Sequence, residues 1–192
     1  MPLPSLREWS STVDAVLAGR QTLLIRKGGI SEGSAGFSAD HERFVLLPTL
    51  FHQHHSTPPP LPSPLLVHVL CDLLLAVEVP SSTDLSPLAP FHTYDPAQLG
   101  VRVSYKPEKP LTLLALRPYR ILPALKIDPS TLPATCRSWL VLDLPTPTHS
   151  EPIATAVPSD LVEVLQSMVA HDVHEETRRR DNQEKTHAFQ PH

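Results

Sequence analysis

The stretch Ser5–Gly29, SLREWSSTVDAVLAGRQTLLIRKGG, decides how the rest of the chain is read. Ser5 and Glu8 stand at capping-box spacing, in which hydroxyl and carboxylate each satisfy a free backbone N–H. Leu6, Trp9, Val13, Val16 and Leu17 recur at helical spacing, so one amphipathic helix is expected from Ser5 onward. Gly19 falls where a C-terminal cap belongs. QTLLIRK then reads as a strand that ends in Arg26–Lys27, just before Gly28–Gly29.

Working outward, RFVLLPT (43–49) is a second strand. PLLVHVLCDLLLAVEVP (64–80) alternates at Val67/Val69 and Val77/Val79 and reads as a buried, bulged strand. Asp95–Pro96 has the form of an N-cap and first helical residue, opening a short helix toward Val103. LTLLALRPYRIL (111–122) is a strand bent near Pro118, and CRSWLVLDL (136–144) is another. Pro158–Ser159 opens a late helix with Leu161, Leu165, Met168 and Val169 on one face. This order implies an α+β fold: a small mixed or mostly antiparallel sheet, or pseudo-barrel, with an N-terminal and a C-terminal helix. The expected layout is a globular domain over 1–145 with a proline-rich insert at 56–64. A linker and helix follow over 146–176, and a charged, disordered tail over 177–192.

Composition limits the class. The chain has 192 residues, 41% hydrophobic and 19% charged, enough for one real core. Its 23 prolines exceed the roughly ten of average usage and read as rigid loops. A net charge of -4 argues against whole-protein attraction to nucleic acid, yet Val101–Arg137 is locally basic. Cys71 and Cys136 lack a partner motif, which fits a reducing compartment. No secretion signal is evident, and the apolar run Leu65–Val79 is too short and too charged to span a bilayer. A cytoplasmic protein without membrane contact is expected.

The Gly28–Gly29 loop supports two readings. Glycines let backbone N–H groups approach an anion, and Arg26 and Lys27 would meet phosphate. Alternatively the loop is a turn joining LLIR to RFVLL as a hairpin. Arg117, Arg120 and Arg137, with Tyr119 and Trp139 interleaved, would widen a basic surface for RNA, DNA or a nucleotide. A metal-dependent phosphodiesterase is the alternative, with Glu32, His41 and His52 as ligands or base; His54 is a further weak ligand, and the paired spacing of structural zinc sites is missing. A third reading is a scaffold whose segment 56–64 offers P-x-x-P geometry to a partner's aromatic groove. There is no Walker pattern and no G-x-S-x-G elbow, and no cofactor is called for.

RKGGI, PT-x-x-HQ and C-x-SW, in this order over Leu6–Leu144, resemble an uncharacterised microbial family known as domain of unknown function 1802. The resemblance carries onto Glu8, Trp9, Arg26, Lys27, Gly28, Gly29, Glu32, His41, His52, Arg117, Arg120, Arg137 and Trp139. It implies no reaction. The entry GRQTLLIR is also similar to ASCH and PUA-like domains, small barrels that bind RNA or modified bases, whose pattern is G-x-K-x-x-E-x-R. Gly19 and Arg26 match that pattern, while Gln21 and Leu24 replace its lysine and glutamate. The likeness therefore implies a barrel with a basic mouth rather than proton chemistry.

Overall fold

A computed structural model describes residues 2–27, 37–50, 61–133, 135, 137–155 and 159–170. Gly28, Gly29, Glu32, His52, His54, Cys136, the tail and most of the proline-rich insert lie outside the described residues.

The helix expected from Ser5 is two elements. Pro2–Trp9 is strand β1, and only Ser10–Leu17 is helix, α1. The Ser5 hydroxyl donates to Leu3 O and Glu8 accepts from Trp9 N–H, so neither caps a helix in the expected box. The strand wins because β1 has partners on both sides: β3 (Arg43–Thr49) in parallel and β6 (Trp139–Asp143) antiparallel. Pro2 and Pro4 sit in the part of β1 that pairs with β6 alone, where a missing N–H costs least. Helix α1 ends at Gly19, whose φ of +73° is cheap only for glycine. A Cβ there would also stand 2.3 Å from Ala154 O.

The remaining elements are β2 (Leu23–Arg26), β4 (Leu65–Val79), α2 (Pro96–Ser104), β5 (Leu111–Ile127), β7 (Ser150–Pro152) and a helix α3 over 159–170. One mixed, mostly antiparallel sheet runs β2-β5-β4-β3-β1-β6, with β7 beside β5. The hairpin between LLIR and RFVLL is therefore not formed. β2 pairs with β5, where Leu111–Ala115 offers a longer apolar surface, while β3 pairs with β1 and β4. β4 is the bulged strand that alternation implies, with register shifts at Val67/Val69 and Leu73/Leu75. β5 runs through Pro118, which stays paired with Cys71; its irregularity falls opposite Val67/Val69 instead. Asp95 and Gln98 form a capping box on α2.

Side-chain alternation divides the core between the faces of the sheet. Leu24, Leu114 and Leu116 turn inward toward α1 with Leu6, Val16 and Phe44. Leu23, Ile25, Leu111 and Leu113 turn the other way, where Leu161 and Leu165 of α3 are completely buried against them. A third group, including Val45, Val67 and Ile121, lies under β6. Each fully buried leucine contributes about 2 kcal/mol, so α3 is held firmly on β2, while α2 adds only the partly buried Leu99 and Val103. No helix among the described residues is long and apolar enough to cross a membrane.

Candidate anion-binding site

Alternation along β2 sends Arg26 to the same face as Leu24, past the end of the core. There it meets Glu8, which β1 presents with no exposed side-chain surface. Arg26 Nη1 donates to Glu8 Oε2 at 2.6 Å, and its Nη2 donates to Ser138 Oγ at 2.8 Å. A second guanidinium comes from α2. Leu99 and Val103 pack that helix on the core, and Arg102 between them reaches Ile25 O at 2.7 Å and Glu8 Oε1 at 3.3 Å. Its guanidinium carbon lies 4.2 Å from the Trp9 ring centroid and 4.7 Å from that of Tyr94. Arg26 lies 5.1 Å from the Phe37 ring.

Burial alone would push the Glu8 carboxyl up. The guanidiniums of Arg26 and then Arg102, helped by the Trp9 N–H, more than offset it and hold Glu8 below the usual carboxylate range. Burial likewise pushes the Tyr94 phenol up, with the Glu8 charge adding to it. The balance of charge matters most: two guanidiniums, 12% and 11% exposed, share one carboxylate. The Nε of each has no hydrogen-bond partner among the described residues. Among the described residues, one positive charge is left over in a site little exposed to solvent.

Arg7 fastens the segment leading into β6. Its guanidinium donates to Thr135 O and, at 2.7 Å, to Pro133 O, and its backbone N–H donates to Ser138 O. Exposed Arg137 is thereby placed beside Ser138, at the edge of the site. Trp139 belongs to the core margin, donating from Nε1 to Ser38 O and packing on Phe37, Phe44 and His41. His41 meets that ring edge-on at 5.0 Å. Among the described residues no three His, Cys, Asp or Glu side chains converge as metal ligands would.

The other expected cations go elsewhere. Lys27 Nζ donates to Ser81 Oγ and Val103 O. Arg120 donates to Leu17 O and so neutralises the carbonyl end of α1. Arg117 sits across from Asp72, which also holds Tyr119 OH and Arg43. Five residues separate Arg117 from Thr112, the partner of Arg26, which is about 17 Å of strand and the opposite face. Of the expected cations, Arg26 alone makes these contacts; Arg137 is next in sequence to Ser138, and Arg117 and Arg120 lie elsewhere. Sequence reasoning missed Arg102 and Ser138. The available signal for Arg102 was a charged residue between Leu99 and Val103 on the apolar face of a capped helix.

Leu24, at the glutamate position of the G-x-K-x-x-E-x-R pattern, is core, and the carboxylate that Arg26 uses comes from β1 instead. Gln21, at the lysine position, is buried and accepts from Thr93 N–H and Oγ. The molecule is therefore an α+β protein organised around a buried arginine–glutamate–arginine cluster. It belongs to the family described as Domain of unknown function (DUF1802), which it matches over residues 5–158, through β7. No curated protein matches it in sequence. Among solved structures it is similar to the ASCH protein of Zymomonas mobilis, at 14% identity and a TM-score of 0.47, covering 72% of this chain and 86% of that one. A Tyr-to-Phe variant of the same protein gives 15%, 0.47, 72% and 88%. A Ser-to-Ala variant gives 13%, 0.48, 74% and 91%.

Proposed function

We propose that the protein binds nucleic acid or a nucleotide by seating a phosphate against Arg26 and Arg102. The observation that carries this is the charge surplus among the described residues: one buried carboxylate faces two largely buried guanidiniums whose Nε groups have no partner there. An uncompensated charge out of water costs several kcal/mol, on the order of 3–5 when a pair is broken, and a ligand anion removes that cost. Guanidinium is suited to the task because its fork matches phosphate oxygens. Exposed Arg137, next to Ser138, adds positive charge to this proposed surface, and Gly28–Gly29, next in sequence after Lys27, have no side chains to hold a phosphate away.

The test is fluorescence polarisation with labelled single-stranded RNA, single-stranded DNA and a labelled nucleotide across a salt series. Log affinity is expected to fall linearly with log salt. Arg137→Ala should weaken binding several-fold and lower the salt slope by about one contact. Arg26→Lys, which keeps the charge and loses the fork, should weaken it further. Absence of binding to any of the three probes at low salt would sink the proposal.

A further inference from the structure

Away from the arginine cluster, the end of β4, the end of α2 and the turn 107–110 line an open cavity of about 600 Å³. That lies within the roughly 300–1,000 Å³ typical of small-molecule sites. Its walls are mainly apolar, with Val79, Pro80, Val103, Pro107 and Pro110 among them. Ser81, 7% exposed, also lines it. The Ser81 Oγ has two short contacts: it accepts from Lys27 Nζ at 2.6 Å and donates to Lys109 O at 2.6 Å. A hydroxyl in hydrogen-bond contact with a lysine amine, at the wall of an apolar cavity, is the arrangement of a serine nucleophile and its base.

We propose that Ser81 and Lys27 form a nucleophile–base pair for acyl transfer, acting on a small ester or thioester with an apolar acyl group. Burial lowers the Lys27 pKa, while Glu108 opposes that shift from the turn. The other charged groups at the cavity are Glu78 on β4 and Lys109 on the turn; α2 contributes only the Val103 carbonyl and Ser104. In the neutral amine, Nζ keeps one N–H on Val103 O and turns its lone pair to Ser81. The hydroxyl hydrogen swings from Lys109 O to Nζ.

Ser81 Oγ then attacks the acyl carbon and its proton passes to Lys27. Ser82 also lines the cavity, and its backbone N–H is the donor we assign to the oxyanion. Collapse breaks the bond to the leaving group, which takes the proton from Lys27 and departs as alcohol or thiol. Water attacks the acyl-Ser81 ester in the same way, giving up a proton to Lys27, and releases the acid and free Ser81.

The full chain would be treated with a fluorophosphonate and, separately, with p-nitrophenyl acetate, followed by intact-mass and peptide mapping. Displacement of fluoride by Ser81 Oγ leaves a stable phosphonyl adduct. The expected result is one adduct, on Ser81, formed faster as pH rises toward the lowered Lys27 pKa. Lys27→Arg, which keeps the charge and has no accessible lone pair, should slow labelling by about 100-fold or more, and Ser81→Ala should abolish it. Circular dichroism confirms that each variant is folded. A folded wild type with no adduct on Ser81, or Lys27→Arg labelled as fast as wild type, overturns the proposal. Mapping the wild-type adduct keeps the test decisive even where a variant fails to fold.

Discussion

Replacing Glu8 with Gln tests whether the arginine cluster is an electrostatic unit. The carboxylate accepts three hydrogen bonds, from Arg26 at 2.6 Å, Arg102 at 3.3 Å and Trp9 N–H at 2.9 Å. A glutamine has one acceptor oxygen, so one guanidinium must face an NH2 group. Both arginines then carry charge in a site nearly closed to water. Removing one partner of a buried pair costs about 3–5 kcal/mol, and for a chain of this length each kcal/mol lowers Tm by roughly 2–4 °C. Urea and thermal unfolding of Glu8→Gln should therefore show a loss of about 3–5 kcal/mol with an unchanged m-value. The dependence on pH supplies the second arm. Because the folded pKa of Glu8 lies below its ordinary 4.5, its contribution is complete above the unfolded pKa and is lost as pH falls through the folded one. The gap between wild type and variant should close below pH 4.5. A difference of less than about 0.5 kcal/mol at neutral pH, the size of an ordinary surface change, would refute the reasoning.

Gly19→Ala combines a left-handed φ with a Cβ 2.3 Å from Ala154 O; a loss above about 2 kcal/mol is expected from urea melts. Asp95→Ala removes the side-chain half of the α2 capping box, the acceptor for Gln98 N–H, and should cost about 1 kcal/mol by the same measurement. Burial, with the neighbouring Asp72 charge, pushes the Cys71 thiol far above its usual range. Iodoacetamide should therefore leave Cys71 unmodified in the native protein and alkylate it in denaturant, as mass mapping would show.

Much of the fold could be read because its signals are local. Asp95–Pro96, the glycine at the end of α1 and the alternation in β4 depend on neighbours within a few residues. β1 could not be read that way. Leu6, Trp9 and Val13 satisfy helical spacing, and only pairing with Val45–Thr49 and Trp139–Asp143 makes the first part a strand. The same misreading hid the role of Glu8, since a carboxylate placed as a helix cap is not sought by distant arginines. Arg26 was visible as a charge closing an apolar strand. Its partners were not, because Glu8 and Ser138 reach it from two other parts of the chain, and Arg102 joins them through Glu8 from a third.

The position of β1 between β3 and β6 also sets an order of events. During synthesis at roughly 5–20 residues per second, Trp139 follows Leu6 by on the order of ten seconds. Until then β1 lacks one of its two neighbours and Arg26 lacks its serine. A chain truncated before Trp139 would therefore be an assembly with its opening strand left as a bare edge, a template for pairing with other chains. Completion of this sheet is a long-range act, performed by β6 on behalf of β1.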